Sequence, residues 1–173
     1  PPTPRTAADL QPFPNTLCAL RVTGAELRDW LERASSCFHR ITAGWPDQPL
    51  WNNSFPGHAA DTIVGLTYRI DVKVAPLYDA HGQRLAGSRG AGSPRGRIRD
   101  LAHAGQPVGD DQEFVMAVNN YRAFGGGPYP ALPESRLVHA SRTPVRDVLA
   151  RFIRDGGHRR VSLSPAWSFV PQP

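Results

Sequence analysis

The chain has 173 residues, of which 40% are hydrophobic, so it is long and apolar enough to bury a core. Its formal net charge is +5, and the basic residues are almost all arginine, because Lys73 is the only lysine among the 20. The sequence contains no transmembrane span, signal peptide or lipidation motif, and we expect no membrane partner for this chain.

The N-terminal region is rich in proline. The chain starts at Pro1 without a methionine, so we expect it to be excised from a longer protein, with residues 1–8 forming a linker or an extended arm. Phe13 follows between Pro12 and Pro14, which favour an extended backbone and restrict their neighbours. An aromatic ring held in this way is either a plug in the core or a rigid platform. Residues just after it, 16–22, are a predicted strand.

A capping box begins the first predicted helix. The Thr23 hydroxyl can accept from the amide of Glu26, whose carboxylate can reach back to the Thr23 amide. Apolar residues then recur at three- and four-residue spacing, which predicts an amphipathic helix over residues 24–38. Its aromatic face is expected in the core rather than in a ligand site.

The middle of the chain alternates between loops and a strand. Residues 40–60 contain several prolines, glycines and asparagines, and they predict a long loop whose aromatic side chains either line a pocket or pin the loop to the core. Strict alternation of apolar and polar residues over 66–73 predicts a strand with one buried face. Residues 79–97 have almost no large apolar side chain and predict a mobile hairpin excursion.

The most informative stretch begins with the apolar residues 114–118, a predicted buried strand, and continues through Asn119 and Asn120 to Tyr121. Polar and glycine residues placed directly at a strand end are typical of a site. Glycines 125–127 permit positive φ angles and would leave open space, so that Tyr121 offers a ring face to a flat ligand. The alternative is an ordinary strand followed by a Gly/Pro turn.

The last part of the chain predicts two strands and a helix. Residues 136–139 are a predicted short strand, and a helix follows, with its cap at Thr143 and its first helical position at Pro144. Five apolar residues between 145 and 153 supply the buried stripe of that helix. Residues 160–169 are expected to return as a last strand whose aromatic side chains pack on the body.

The side chains that could carry chemistry are few. Cys18 and Cys37 are the only cysteines, and neither has a second Cys or a His at metal-ligand spacing. Both lie in apolar patterns, which favours two buried thiols over a disulfide. The clustered Asp, His and Asn ligands of a metal-dependent phosphoesterase are missing. No catalytic or metal-binding residue is assigned, and the chain alone is expected to be inactive.

Several segments share one family pattern. They are residues 14–17, 21–32, 61–72, 97–101, 105–108 and 119–126. Together they resemble the C-terminal domain of bacterial 5'-nucleotidases, and in particular the periplasmic branch of 2',3'-cyclic-nucleotide 2'-phosphodiesterase/3'-nucleotidases. The resemblance implies that residues 9–173 form an α+β fold, a single layered domain of mixed β-sheets with a few packed helices.

The resemblance also implies a function. It implies a periplasmic or secreted nucleotidase or cyclic-nucleotide phosphodiesterase, in which this chain binds nucleotides or nucleosides. An N-terminal metallophosphoesterase domain with a divalent metal pair would belong to the same polypeptide and lie outside this chain. Two aromatic rings sandwich the base in that family, and they match Phe13 and Tyr121. Asn119, Asn120 and the Gly125–Gly126 backbone would shape the pocket and supply hydrogen bonds.

Some features depart from the family pattern. Gly127 stands where nucleoside-specific relatives often carry an Asp, so a binding carboxylate is not expected there. The arginine-rich segment 84–97 is longer than expected. The arginine surplus supports a second class of function, a non-catalytic basic module that binds nucleic acid or another anionic partner. A third hypothesis is a purely structural domain.

Overall fold

The computed structural model of the protein describes residues 3–86, 96–155 and 165–171. Contacts within the chain divide it into two compact units. Of the described residues, unit 1 contains 3–22, 113–126 and 130–155, and unit 2 contains the remainder. The predicted α+β class is confirmed, since each unit combines one β-sheet with helices. Within the described ranges, no helix is long and apolar enough to cross a membrane.

Unit 1 contains a three-stranded sheet in the order β5-β1-β6. The strands are β1 (Thr16–Thr23), β5 (Glu113–Asn119) and β6 (Leu137–Pro144). β1 is antiparallel to β6 and confirms the strand predicted at residues 16–22, while β6 is longer than the predicted strand at 136–139. Only the Met116 side chain is fully buried in β5, so the predicted buried strand is in fact largely exposed along its other face.

In its described residues unit 1 also contains three α-helices, and the first and the last of them pack against each other. Helix α1 spans Pro4–Leu10, so residues 4–8 are helical where a linker or an extended arm was predicted for residues 1–8. Its start is stabilised because the Thr3 N–H donates to Thr6 Oγ1 at 3.0 Å, and proline is tolerated at a first helical position. Ala7 is buried in this short helix.

Helix α4 spans Val145–Arg154. The predicted cap at Thr143 is wrong, because Thr143 is the penultimate residue of β6 and Pro144 occupies the cap position without a side-chain hydrogen bond. Of the predicted apolar stripe only Ile153 is fully buried, and Phe152 stays half exposed.

Unit 2 begins with helix α2 (Gly24–Ala34), which continues as a 3₁₀ turn over Ser35–Cys37. The predicted capping box is confirmed: Thr23 Oγ1 accepts from the Glu26 amide, and Glu26 Oε2 accepts from the Thr23 amide at 2.8 Å. The long loop that follows, residues 40–60, contains a 3₁₀ turn and buries Phe55, whereas Trp45 is exposed.

The sheet of unit 2 has four strands in the order β4-β3-β2-β7. These are β2 (Leu66–Ile70), β3 (Ile98–His103), β4 (Gln106–Pro107) and β7 (Trp167–Phe169). Burial alternates along β2 as predicted, and β7 pairs with it in parallel. Part of the predicted hairpin excursion, residues 87–95, lies outside the described residues.

Two buried residues of opposite charge, Glu32 and Arg97, connect α2 to the start of β3. The Glu32 carboxylate accepts from the amides of Arg97 and Ile98, each at 2.8 Å. The Arg97 guanidinium donates to the carbonyls of Val74, Ser35 and Phe38. Burial raises the pKa of the Glu32 carboxyl, and the two amide donors together with the arginine charges oppose that rise.

The two cysteines are both buried and neither forms a disulfide, as favoured from the sequence. Burial raises the pKa of the Cys37 thiol to about 11, with the charge of Arg97 acting in the opposite direction. Cys37 is therefore protonated near neutral pH and poorly suited to nucleophilic chemistry.

We expect Glu32→Ala to lower the free energy of unfolding by about 3–5 kcal/mol, because it leaves two buried amides without their acceptor and the buried Arg97 charge without the nearby carboxylate. Glu26→Ala on the same helix removes only a capping interaction and should cost about 1 kcal/mol. Urea unfolding followed by circular dichroism measures both. Equal costs for the two variants would contradict the structural role assigned to Glu32.

Candidate functional site

The candidate site lies where β5 ends. Asn119 leaves the strand with φ −81° and ψ 160° and caps a single helical turn, α3 (Asn120–Ala123). Its side-chain oxygen accepts from the Arg122 amide at 2.8 Å. The strand therefore runs into a capped turn and not, as the simplest interpretation of the sequence suggested, directly into an open glycine loop.

Tyr121 is on this turn and is 45% exposed. A Cβ added to Gly126 would lie 2.5 to 2.6 Å from three carbons of the Tyr121 ring, so the ring packs directly on the glycine backbone. The Gly126 N–H also donates to the Tyr121 carbonyl at 2.8 Å. Gly126 thus makes room for the Tyr121 ring itself, whereas the sequence analysis expected that room to serve a ligand.

Gly125 has a different role. Its φ is +88°, a conformation that favours glycine, and an added Cβ would lie 2.9 Å from the Ala131 nitrogen. Phe124 and Ala131 form an isolated antiparallel bridge around this position. Gly125 is therefore required by the path of the backbone.

Phe13 lies in the bend between Pro12 and Pro14 and is 68% exposed. The sequence left open whether this ring is a core plug or a platform, and such exposure rules out the plug. Both neighbours are prolines with restricted φ angles, so the backbone that carries the ring has few alternative conformations.

One hydrogen bond connects the segments that carry the two aromatic residues. The Thr16 N–H, at the start of β1, donates to Asn120 Oδ1 at 2.9 Å. At the other end of the same strand pair, Arg21 Nη1 lies 4.0 Å from Glu113 Oε2, so β1 and β5 run in opposite directions. The structure thus brings the Phe13 segment and the Tyr121 segment to one end of the sheet of unit 1.

Arg122 is a residue of this site that the sequence analysis did not single out. It is nearly fully buried, and its Nη1 donates to the Gly126 carbonyl at 2.9 Å, which braces the glycine that supports Tyr121. Its guanidinium carbon lies 5.5 Å from the centre of the Tyr121 ring. An arginine in a single helical turn has no periodic pattern that would mark it as buried.

Some of the charged side chains elsewhere in the described ranges form ion pairs. Six arginines have a carboxylate oxygen within 4.0 Å, namely Arg21, Arg28, Arg33, Arg69, Arg99 and Arg146. A search of the described part of the chain finds no group of three His, Cys, Asp or Glu side chains that could hold a metal ion.

Comparison with known proteins agrees with this architecture. A family model described as 5'-nucleotidase, C-terminal domain, matches residues 3–134. The trifunctional nucleotide phosphoesterase protein YfkN of Bacillus subtilis is 33% identical over 168 residues, which is 96% of this chain and 11% of that protein. The 2',3'-cyclic-nucleotide 2'-phosphodiesterase/3'-nucleotidase of Haemophilus influenzae is 32% identical over 174 residues, 96% of this chain and 25% of that protein. The chain thus spans a quarter or less of these two relatives.

Solved structures show the same fold at lower identity. The 5'-nucleotidase precursor of Thermus thermophilus aligns with a TM-score of 0.63 and 19% identity over 100% of this chain and 29% of its own. The Haemophilus influenzae NAD nucleotidase aligns with a TM-score of 0.57 and 16% identity, covering 93% of this chain and 26% of its own. At these identities the likeness concerns the fold.

Gly126→Ala is expected to displace the Tyr121 ring, because the new methyl group cannot fit beneath it. Nuclear Overhauser contacts between the ring protons and residue 126 should disappear. Gly57→Ala is the matched control, since a Cβ at Gly57 meets nothing within 4 Å. Retention of the wild-type ring contacts in Gly126→Ala would show that Tyr121 is not seated on Gly126.

Proposed function

The chain belongs to the 5'-nucleotidase C-terminal domain family, and from this premise we propose that it recognises nucleotides and nucleosides by stacking the base between Phe13 and Tyr121. The observation that carries the proposal is the placement of two exposed aromatic residues on restrained segments that one hydrogen bond joins. Single exposed aromatic residues are common on protein surfaces, but two restrained ones at one end of a sheet are a suitable base-binding site.

Each ring is restrained from one side. Tyr121 is supported by Gly126, and its remaining exposure leaves ring surface available to a ligand. Phe13 is held by the two prolines. Because the backbone that carries each ring is already restrained, little backbone entropy is lost when a base binds between the rings. Stacking is worth about 1–3 kcal/mol per base and tolerates different bases, so the site should accept several nucleosides.

The other proposed site residues surround Tyr121. Asn119 and Gly125 shape the turn that carries the ring, and Asn120 and Gly126 lie directly beside it in the chain or in space. We propose that these residues form the floor of the pocket, where the side-chain amide of Asn119 can donate to the ribose or the base.

The rest of the enzyme would lie outside this chain. In our proposal an N-terminal metallophosphoesterase domain of the same polypeptide holds a divalent metal pair and supplies the attacking water, in the periplasm or outside the cell. The greater length of the relatives and the nucleotide substrates in their names support this arrangement. Holding the base away from the phosphate would fix the scissile bond against the metals, which is a positioning contribution to catalysis.

The alternative of a basic binding module gains little from the structure. In the described ranges six arginines have acidic partners, and Arg97 and Arg122 are buried. These eight arginines are therefore less available to the phosphate backbone of a nucleic acid.

We expect Phe13→Ala and Tyr121→Ala each to weaken adenosine binding about 5- to 150-fold, the equivalent of one lost stacking contact. Phe124→Ala is the matched control, because Phe124 is an exposed aromatic three residues after Tyr121 and is not assigned to the clamp. Isothermal titration calorimetry with this chain measures all three affinities.

The salt dependence of binding distinguishes base stacking from the alternative of a basic binding module. Adenosine is uncharged, so stacking should change little between 50 and 200 mM salt, whereas binding driven by many arginines falls steeply with salt. Wild-type affinity in both aromatic variants, or a loss in Phe124→Ala as large as in Tyr121→Ala, would contradict the proposed clamp.

A further inference from the structure

We infer that Asn120 is a positioning residue, which sets the spacing between Phe13 and Tyr121 by accepting the hydrogen bond of the Thr16 amide. The inference rests on the proposed base clamp and assigns Asn120 a role different from direct substrate binding. It concerns the side-chain oxygen of Asn120, which lies 2.9 Å from the Thr16 nitrogen in a partly buried position.

The hydrogen bond from Thr16 to Asn120 takes the place of an inter-strand backbone hydrogen bond. β5 lies next to β1 in the sheet but ends at Asn119, where the backbone turns into α3. The Thr16 amide at the start of β1 therefore faces the turn, and the Asn120 side chain supplies the acceptor. The residue that supplies it is the immediate neighbour of Tyr121, so any shift of the turn is transmitted to the ring.

The start of β1 is also held on the side that faces β6. The Val145 N–H donates to the Asn15 carbonyl at 2.8 Å, and Thr16 is paired with Pro144 of β6. Residues 15 and 16 are thus held between the α3 turn and the end of β6. Only Pro14, with its restricted φ angle, separates this anchored point from Phe13. The position of the Phe13 backbone relative to Tyr121 consequently depends on the Thr16–Asn120 bond.

The chemistry of the side chain gives a discriminating substitution. Asn120→Asp keeps an oxygen that can accept from Thr16 but removes the amide donor, whereas Asn120→Ala removes both. If Asn120 acts by positioning, aspartate should substitute for it. If Asn120 donates to the substrate, aspartate should fail as alanine does.

The test is adenosine affinity of this chain, measured by calorimetry for wild type, Asn120→Ala and Asn120→Asp. Adenosine carries no phosphate, so the added carboxylate does not repel it. We expect Asn120→Ala to bind about 3- to 10-fold more weakly, the equivalent of one hydrogen bond, and Asn120→Asp to bind within about twofold of wild type. The control is Asn52→Ala, which removes internal hydrogen bonds in unit 2 and should leave the affinity unchanged.

Amide hydrogen exchange supplies a second measurement, which starts from the wild-type chain. The Thr16 amide of the wild-type chain should be protected, and Asn120→Ala should remove that protection while Asn120→Asp retains it. Equal affinity losses in both variants, wild-type affinity in Asn120→Ala, or an unprotected Thr16 amide would each overturn the inference. Failure of the wild-type chain to bind adenosine would instead overturn the base clamp itself, and the inference with it.

Discussion

The central position of β1 in its sheet is the constraint on which the proposed site depends. Because β5 and β6 flank it, the first residues of β1 lie between the end of β5 and the end of β6. The chain entering β1 carries Phe13, and the chain leaving β5 carries Tyr121. Two aromatic residues more than 100 positions apart in the sequence are brought to one end of the sheet by this strand order.

Glycine and proline then determine how the two rings are presented. The absence of a side chain at Gly126 lets the Tyr121 ring lie against the backbone, and the buried Arg122 braces that glycine through its carbonyl. The prolines around Phe13 restrict the backbone without covering the ring. Gly126 and the two prolines thus leave the surfaces of both aromatic rings in contact with solvent. Such exposure does not favour folding, and it is consistent with a surface that binds a ligand.

Much of the framework and part of the site could be predicted from the sequence. Helix α2 and strand β2 were predictable because each buries one face and therefore shows a clear period. Prolines and glycines beside Phe13 and Tyr121 drew attention to these residues, but their assignment to one site comes from the family resemblance and stays a prediction. Helix α1 was missed, since a short polar helix that starts with proline has no such period.

Contacts that only the folded structure shows could not be predicted from the sequence. Nothing local to Gly126 shows that it supports Tyr121, and nothing local to Asn120 shows that its acceptor lies next to Thr16. Composition rules place Glu32, Arg97 and Arg122 on the surface, yet all three are buried because each has backbone partners.

A double-mutant cycle on adenosine binding tests the clamp most directly, because it asks whether Phe13 and Tyr121 act on the same base. If one base lies between the two rings, removing either ring lets the base tilt and weakens its contact with the other. We expect the affinity losses in Phe13→Ala and Tyr121→Ala to be coupled by more than about 0.5 kcal/mol in the double variant. Losses that add to within about 0.3 kcal/mol would show two independent sites and contradict the account.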